Sequence, residues 1–490
     1  MLIKPWRYAL RLIVMLLALV PVATGYALAE YRVLWVDVFH SGLRSRAEAD
    51  VMLKTARDAG YNAICIQVRK AADAYYDSQV EPKNRAVEAG FDPLAYIIAQ
   101  AHGQQPRLEV YAWLVTYRVR IGSDPTYKDP NHIYQKHTDW LSETRSGNKT
   151  AASNIQFFDP GVPGVIDHNL IVVRDILSRY EVDGIVFDYI RYPESEGGPS
   201  QWGYNPIAIR RFNELYGRTG KPDANDPQFA EFRRRQIYDH MRKIYAHVRA
   251  WRPRVKIGAA TITWGPFGGD FRKTSSYTHI FQDWETMVMD GWLDMNLPMN
   301  YKREHNAAQA KAHRDWASFL AQVSQRGNRH GINIVDGEEL NSLAGILAQV
   351  RDTRTLPGMA GISTYAYSQP RAGSKNIPDA EFFRSIKKEL FSTPATIPTA
   401  PWLTQQAQHG WVKGVVSRGG KPVDGATVWL GTRSTHTDGT GFYAFANVPP
   451  GNYEMAAEDK QGVIGKTATT IQAGRVAEAP ISSGGSAPAN

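Results

Sequence analysis

The chain has 490 residues, 43% hydrophobic and 21% charged. That composition is globular, with room for a large domain and a smaller companion, and it excludes a wholly disordered or fibrous chain. The formal charge of +9 favours anionic partners such as acidic glycans or a membrane surface, yet no basic run has nucleic-acid spacing, and Arg233-Arg234-Arg235 reads as a solvated helix face. The lone Cys65 lies in the apolar run Ala63-Ile64-Cys65-Ile66, so it forms no internal disulfide and reads as core. The 13 Trp and 24 Tyr suit the flat faces of sugars, although such rings also fill cores.

Taken in order, the chain opens with Lys4, Arg7 and Arg11, an apolar run from Leu12 to Val20, and the small-x-small triplet Ala27-Leu28-Ala29. That order is the pattern of a secretory signal peptide over residues 1–29, with Glu30 the first mature residue and a retained membrane anchor as the alternative. No Cys follows the apolar run, which argues against a lipoprotein. Removing the segment lowers the formal charge from +9 to +6, because it carries three basic residues and no acid. The expected location is the periplasm or outside the cell.

From residue 30, short apolar runs alternate with longer amphipathic ones. Strand-like runs fall at 32–39, 62–69, 109–115, 184–190, 256–263, 294–300, 331–335 and 361–367, and helical periodicity follows at 47–59, 93–101, 165–180, 229–251, 308–325 and 340–351. Near-continuous apolar strands separated by helices indicate a parallel sheet covered on its outer face. Eight units over residues 30–391 predict a closed (β/α)8 TIM barrel of the α/β class. No Gly-x-Gly-x-x-Gly follows the first strand, against a nucleotide-binding fold. Residues 392–410, rich in Pro and Thr, predict a semi-extended linker with few buried contacts, so that a barrel cut at Ser392 should fold alone. Period-two runs with Asp-Gly and Pro-Gly turns predict a small all-β sandwich at 411–481, with Tyr443, Tyr453 and Trp429 in its core, and a disordered Gly/Ser/Ala/Pro tail at 482–490.

A β/α barrel builds its site at the C-terminal strand ends. There the sequence places Asp37, then Gln67, Arg69, Asp73 and Tyr76, then Trp113, Tyr117 and Arg118, then Asp188, Tyr189 and Arg191. Trp264, Asn300, Tyr301, Asp336, Glu338 and Tyr365 follow on the later strands. Rings that stack on sugar faces, beside carboxylates, amides and guanidiniums that bind hydroxyls, make a cleft for a hydroxyl-rich ligand. No His cluster has metal-ligand spacing, and neither a metal nor a cofactor is expected.

Strand four carries the strongest local signal. Asp183 opens it as a cap at the barrel bottom or in a turn, and Asp188 ends it at the top. Arg191 is expected to hold Asp188 ionised, as a glycosidase nucleophile or oxocarbenium stabiliser requires; a purely structural ion pair is the alternative. The protonated partner that glycoside hydrolysis also needs is assigned to Asp336 or Glu338, with Asp37 a third candidate, and spacing does not separate them.

These residues resemble the bacterial glycosyl-hydrolase-like family ten, formerly a domain of unknown function. The resemblance covers residues 30–390 and rests on Trp35-Val-Asp37, Gln67-Val-Arg69 with Asp73-Ala-Tyr75-Tyr76, Trp140-Leu141, Phe158-Asp159-Pro160-Gly161, Asp183-Gly184-Ile-Val-Phe-Asp188-Tyr189-Ile-Arg191-Tyr192-Pro193 and Pro298-Met299-Asn300-Tyr301. It implies a TIM barrel related to glycosidases and, through a relative, action on peptidoglycan strands stripped of their peptides. Where family members often read Asp-Asp-Tyr, Phe187 precedes Asp188 here, which places more weight on Asp188. The C-terminal run Gly414-Val-Val through Gly451-Asn-Tyr453 resembles a carboxypeptidase regulatory-like (transthyretin-like) domain, which implies an accessory stabiliser, spacer or weak carbohydrate binder. The expected partner is a polysaccharide, denuded peptidoglycan first, its muramyl carboxylates matched to Arg69, Arg118 and Arg191. The alternatives are a storage polysaccharide or exopolysaccharide as substrate, and a non-catalytic glycan-binding barrel.

Overall fold

Runs such as Ala63-Ile-Cys-Ile and Gly184-Ile-Val-Phe have no polar face, so as strands they need cover on both sides. A computed structural model, describing residues 28–122, 124–195, 199–336, 340–368 and 379–483, shows how that cover is supplied. Eight parallel strands, β1 (Tyr31–Val36), β2 (Ala63–Arg69), β3 (Glu109–Val115), β4 (Gly184–Asp188), β5 (Lys256–Ile262), β6 (Met295–Met299), β7 (His330–Asp336) and β8 (Met359–Tyr365), pair in sequence order and close into a barrel. All eight match the strand-like runs. Alternate residues, among them Val33, Trp35, Cys65, Trp113, Val186 and Leu297, fill the interior. Their neighbours pack outward on helices α1 (Arg46–Ala59), α2 (Pro93–Gly103), α3 (Pro163–Arg179), α5 (Pro227–Trp251), α6 (Trp284–Met289), α7 (Ala307–Gly327), α8 (Leu343–Arg354) and α9 (Asp379–Glu389), while α4 (Pro206–Tyr216) packs on the start of α5 through Phe212, Phe229 and Phe232.

The helix ends follow local chemistry. Ser45 caps α1 by accepting from the Glu48 N–H, and Gly60 ends it at φ 85°, a left-handed conformation that a β-carbon disfavours. Asp226 caps α5 with Pro227 as its first residue. The basic triplet inside α5 is not the solvated face its sequence suggests. Arg233 is fully buried and donates to the carbonyls of Ser200 (2.6 Å) and Ala224 (2.8 Å) between the rings of Phe229 and Phe281, and burial lowers its guanidinium to about 10. The long β4–α5 connection covers it.

At the closed, N-terminal end of the barrel, Asp183 accepts from the Val110 N–H (2.8 Å), His102 (2.8 Å) and Arg107 (2.6 Å). The segment 392–410 also belongs to this end and is not a free linker. Ala395–Thr396 pairs in parallel with Leu28–Ala29, the Thr393 carbonyl accepts from Arg32 (2.8 Å), and Trp402 donates to Asp294 (2.7 Å) under Arg329. Proline and threonine make this segment extended, and an extended chain can still be fastened along its length.

The sandwich then runs β9 (Gly410–Arg418), β10 (Lys421–Pro422), β11 (Thr427–Leu430), β12 (Arg433–His436), β13 (Phe442–Val448), β14 (Gly451–Asp459), β15 (Gly462–Ile471), β16 (Val476–Glu478) and β17 (Ile481–Ser483). One sheet is built on β9 with β10, β13, β16 and β17, and the other is β12-β11-β14-β15. Tyr443 lies in the core between them and Tyr453 packs at its edge, whereas Trp429 faces outward, 40% exposed, with its Nε1 on Glu458. Trp411, Phe442, Ala444 and Ala446 join the barrel's outer core. Polar pins accompany them: Arg211 to Asp424 (2.8 Å), Arg242 to Thr435 (2.5 Å) and Lys243 to Thr440 (2.8 Å). The tail predicted from 482 begins later, because Ser482 and Ser483 pair with Ser417 and Arg418 in β17; residues 484–490, like the predicted leader up to residue 27, lie outside the described residues.

Candidate active site

In β4 the alternation that turns Val186 into the barrel turns Asp188 inward two residues later, at the top of the strand. Asp188 is 6% exposed. The next residue, Tyr189, bends away at φ 49° and its N–H donates to Asp188 Oδ1 (2.7 Å). Trp113 Nε1 donates to Oδ2 (3.3 Å), and Arg191 Nη1 stands 3.7 Å from Oδ1. Thr116 fixes the backbone, donating from both N–H and hydroxyl to the Asp188 carbonyl at 2.8 Å.

Burial is the largest influence on this carboxyl and raises its pKa above the ordinary aspartate value, although Arg191, the Tyr189 N–H, Arg118 and Trp113 all pull it down. Arg191 favours the charged form, as expected of it, but its pull is smaller than the push of burial. Desolvation outweighs the guanidinium because the pair is not in tight contact.

Around Asp188 the rings form a continuous wall. Trp113 meets Trp35 edge-on at 5.0 Å and Tyr365 at 6.1 Å, and Tyr365 meets Tyr301 at 6.1 Å. Trp35 is oriented by its Nε1 bond to Ser363 (3.0 Å). On the other flank Tyr189 lies between two guanidiniums, Arg118 at 4.9 Å and Arg191 at 4.1 Å. Arg191 also stands over Trp264 at 5.7 Å, and its Nε and Nη1 are buried without a hydrogen-bond acceptor. Trp264, 36% exposed, offers its ring to the cleft. The structure therefore brings Asp188, Trp113, Arg118, Tyr189, Arg191, Trp264, Tyr301 and Tyr365 together.

Other expected site residues are occupied elsewhere. Arg69 is a buried brace, bidentate to Glu81 (2.8 Å twice) and donating to the carbonyls of Val115 and Thr116, so it has no hand for a substrate. Asp73 staples its own loop, accepting from the N–H groups of Lys70 (3.2 Å) and Ala71 (2.6 Å) and from Asn84 (2.5 Å). Tyr76 packs edge-on against Tyr180, and Tyr117 donates to or accepts from His240 (2.6 Å), both in the outer core. Asn300 is buried and donates to the His313 carbonyl (3.0 Å). Gln67 faces the interior, where its Oε1 accepts from the Val38 N–H (3.1 Å).

Of the acid candidates, Asp37 closes the turn after β1: one carboxylate accepts from the N–H groups of Phe39 (2.8 Å) and His40 (3.1 Å) and meets His40 Nδ1 (2.9 Å). Asp336 is the last residue of β7, its backbone in register with Tyr365. Glu338 lies outside the described residues. Lys302, which follows β6 and donates to the Thr263 carbonyl (2.7 Å), gave no signal in the sequence, because a lysine after a strand ordinarily reaches solvent.

A family model described as "Glycosyl hydrolase-like 10" matches residues 30–332, and one described as "Carboxypeptidase regulatory-like domain" matches 412–482. Among curated proteins, the chain is similar to "Glycosyl hydrolase YngK" of Bacillus subtilis, 24% identical over 385 residues, which cover 73% of this chain and 69% of the relative. It is also similar to "Glycosyl hydrolase DigH" of Escherichia coli K12, 26% identical over 290 residues, 54% of this chain and 61% of the relative. Two solved structures share the barrel at a TM-score of 0.50. The PgaB (BpsB) glycoside hydrolase domain of Bordetella bronchiseptica is 16% identical over 73% of this chain and 98% of its own. The catalytic domain of β-amylase from Paenibacillus polymyxa is 13% identical over 75% and 99%.

Proposed function

The chain belongs to the glycosyl hydrolase-like 10 family, and from that premise we propose that it is exported and hydrolyses glycosidic bonds in an anionic cell-wall glycan, denuded peptidoglycan foremost. The observation that carries the reading is Asp188, a desolvated carboxyl at the barrel mouth between an aromatic wall and two buried guanidiniums.

In this proposal Asp188 carries the proton. Burial raises its pKa above the ordinary aspartate value, the direction a general acid needs if it is to deliver a proton to the departing glycosidic oxygen. The Tyr189 N–H, Trp113 and Arg191 then stabilise the carboxylate left behind. A second carboxyl serves as base or nucleophile, with Asp37 after β1 and Asp336, the last residue of β7, as the candidates. Trp264 and Tyr301 stack on sugar faces, while Arg118 and Arg191 take the muramyl carboxylates that persist on a glycan stripped of peptide.

The test is a panel of purified glycans, with denuded peptidoglycan beside neutral polymers, scored by mass spectrometry of the released oligosaccharides. Asp188→Asn, which keeps the shape and removes the transferable proton, should lower turnover by roughly 10²- to 10⁴-fold while glycan binding persists. Undiminished turnover by that variant would refute the assignment, and equal binding with no turnover by either form would make the barrel a binder.

A further inference from the structure

A ring on a loop stacks on a sugar only as well as the loop is held still. Trp264 occupies the turn after β5, where Gly265 takes φ 70°, and the backbone is pinned on each side of it, at the peptide unit that leads into the ring and at the carbonyl of Gly265. Lys302 Nζ donates to the Thr263 carbonyl (2.7 Å), and Trp316 Nε1 donates to the Gly265 carbonyl (3.0 Å). The Thr263 hydroxyl adds a third tie, to the Met299 carbonyl (2.9 Å). Lys302 is itself fixed, since its own carbonyl accepts from Asn341 (2.8 Å) and Gln349 (2.9 Å).

Lys302 is an unusual group to spend on such a contact. It is 7% exposed, makes no ion pair among the described residues, and burial pushes its ammonium down to about 8. A buried ammonium whose partner among the described residues is a single backbone carbonyl is costly, and an apolar side chain would fill the same space more cheaply. What the lysine adds is a charge-assisted hydrogen bond to the peptide unit that leads into Trp264.

We propose that Lys302 is a positioning residue for a sugar-stacking platform at Trp264, with Trp316 as the second pin, and that the platform receives the apolar face of a pyranose beside the residue cleaved at Asp188. This rests on the glycan-hydrolase reading above. Lys302 touches no substrate; it acts through the ring.

The experiment measures kcat and KM on solubilised denuded peptidoglycan strands for the full chain and for Trp264→Ala, Lys302→Met and Trp316→Phe. A stacking contact of ordinary strength predicts a rise in KM of roughly threefold to tenfold for Trp264→Ala. Lys302→Met and Trp316→Phe should each raise KM by roughly twofold to fivefold, with kcat held within about twofold. In the Trp264→Ala background Lys302→Met should add nothing, because its effect has no ring to act through. A full additional loss in that background, or a Lys302→Met defect confined to kcat, overturns the proposal. Absence of turnover in the unmodified chain would refute the hydrolase reading instead. Retention of the same strands in affinity electrophoresis then reads the platform alone, and equal retention of all four proteins overturns it.

Discussion

Ending the chain before Ser392 should cost the barrel a large part of its stability, contrary to what the composition of the 392–410 segment suggests. The truncation strips Trp411 and Phe442, 4% and 3% exposed, from the outer core, and with them Trp402 from its seat on Asp294. Burial of one large apolar side chain is worth about 1.5–3 kcal/mol, so the first two rings contribute about 3–6 kcal/mol. The lost pins at Arg211, Arg242 and Lys243 add little, because those cations return to water when their partners leave. At the roughly 2 °C per kcal/mol expected of a large domain, the melting midpoint should fall by about 6–12 °C. Differential scanning calorimetry at a fixed scan rate, with size-exclusion chromatography before and after heating, is the assay. A monomeric truncated barrel that melts within about 3 °C of the full chain would refute the reasoning, and would mean that the α5 face tolerates exposure.

Asp159, fully buried, is lifted to about 6 by desolvation against the Gly161 N–H and Ser142. An unfolded aspartate titrates near 3.9, so the folded chain binds the extra proton between these values and stability falls by roughly 3 kcal/mol as pH rises through them. Asp159→Asn should therefore gain on the unmodified chain in thermal melts from pH 4 to pH 7, and a constant difference between the two would count against it. Arg69→Met leaves Glu81 buried with His168 alone and should destabilise by about 3–5 kcal/mol, read by thermal melting, while the folded fraction keeps its specific activity. N-terminal sequencing of the exported chain should begin at Glu30; an intact, membrane-embedded N-terminus would establish an anchor.

The barrel was legible because eight apolar runs without a polar face admit few other arrangements, and Asp188 because it ends the fourth of them. The upward direction of its pKa was not, since Arg191 is three residues away in sequence while desolvation depends on the closed interior. Arg69 sits on the same inward-facing pattern as Gln67, and only the fold of the following loop shows that Glu81 claims it. Arg233 failed for a related reason: a helix reads as solvated until the long connection laid over it is known. Trp429, taken for core, lies on an outer sheet face, because period-two alternation does not say which face is inside when neighbouring residues on both faces are apolar.

The parallel pairing of Leu28–Ala29 with Ala395–Thr396 fixes where the chain enters the barrel. Strands of five to seven residues at about 3.3 Å each put that entry about 20 Å from Asp188, at the opposite pole. The chain therefore joins the barrel at its closed pole, on the far side from the cleft. A ligand can then approach the mouth without meeting the point of entry, which leaves the cleft unobstructed by whatever precedes Leu28.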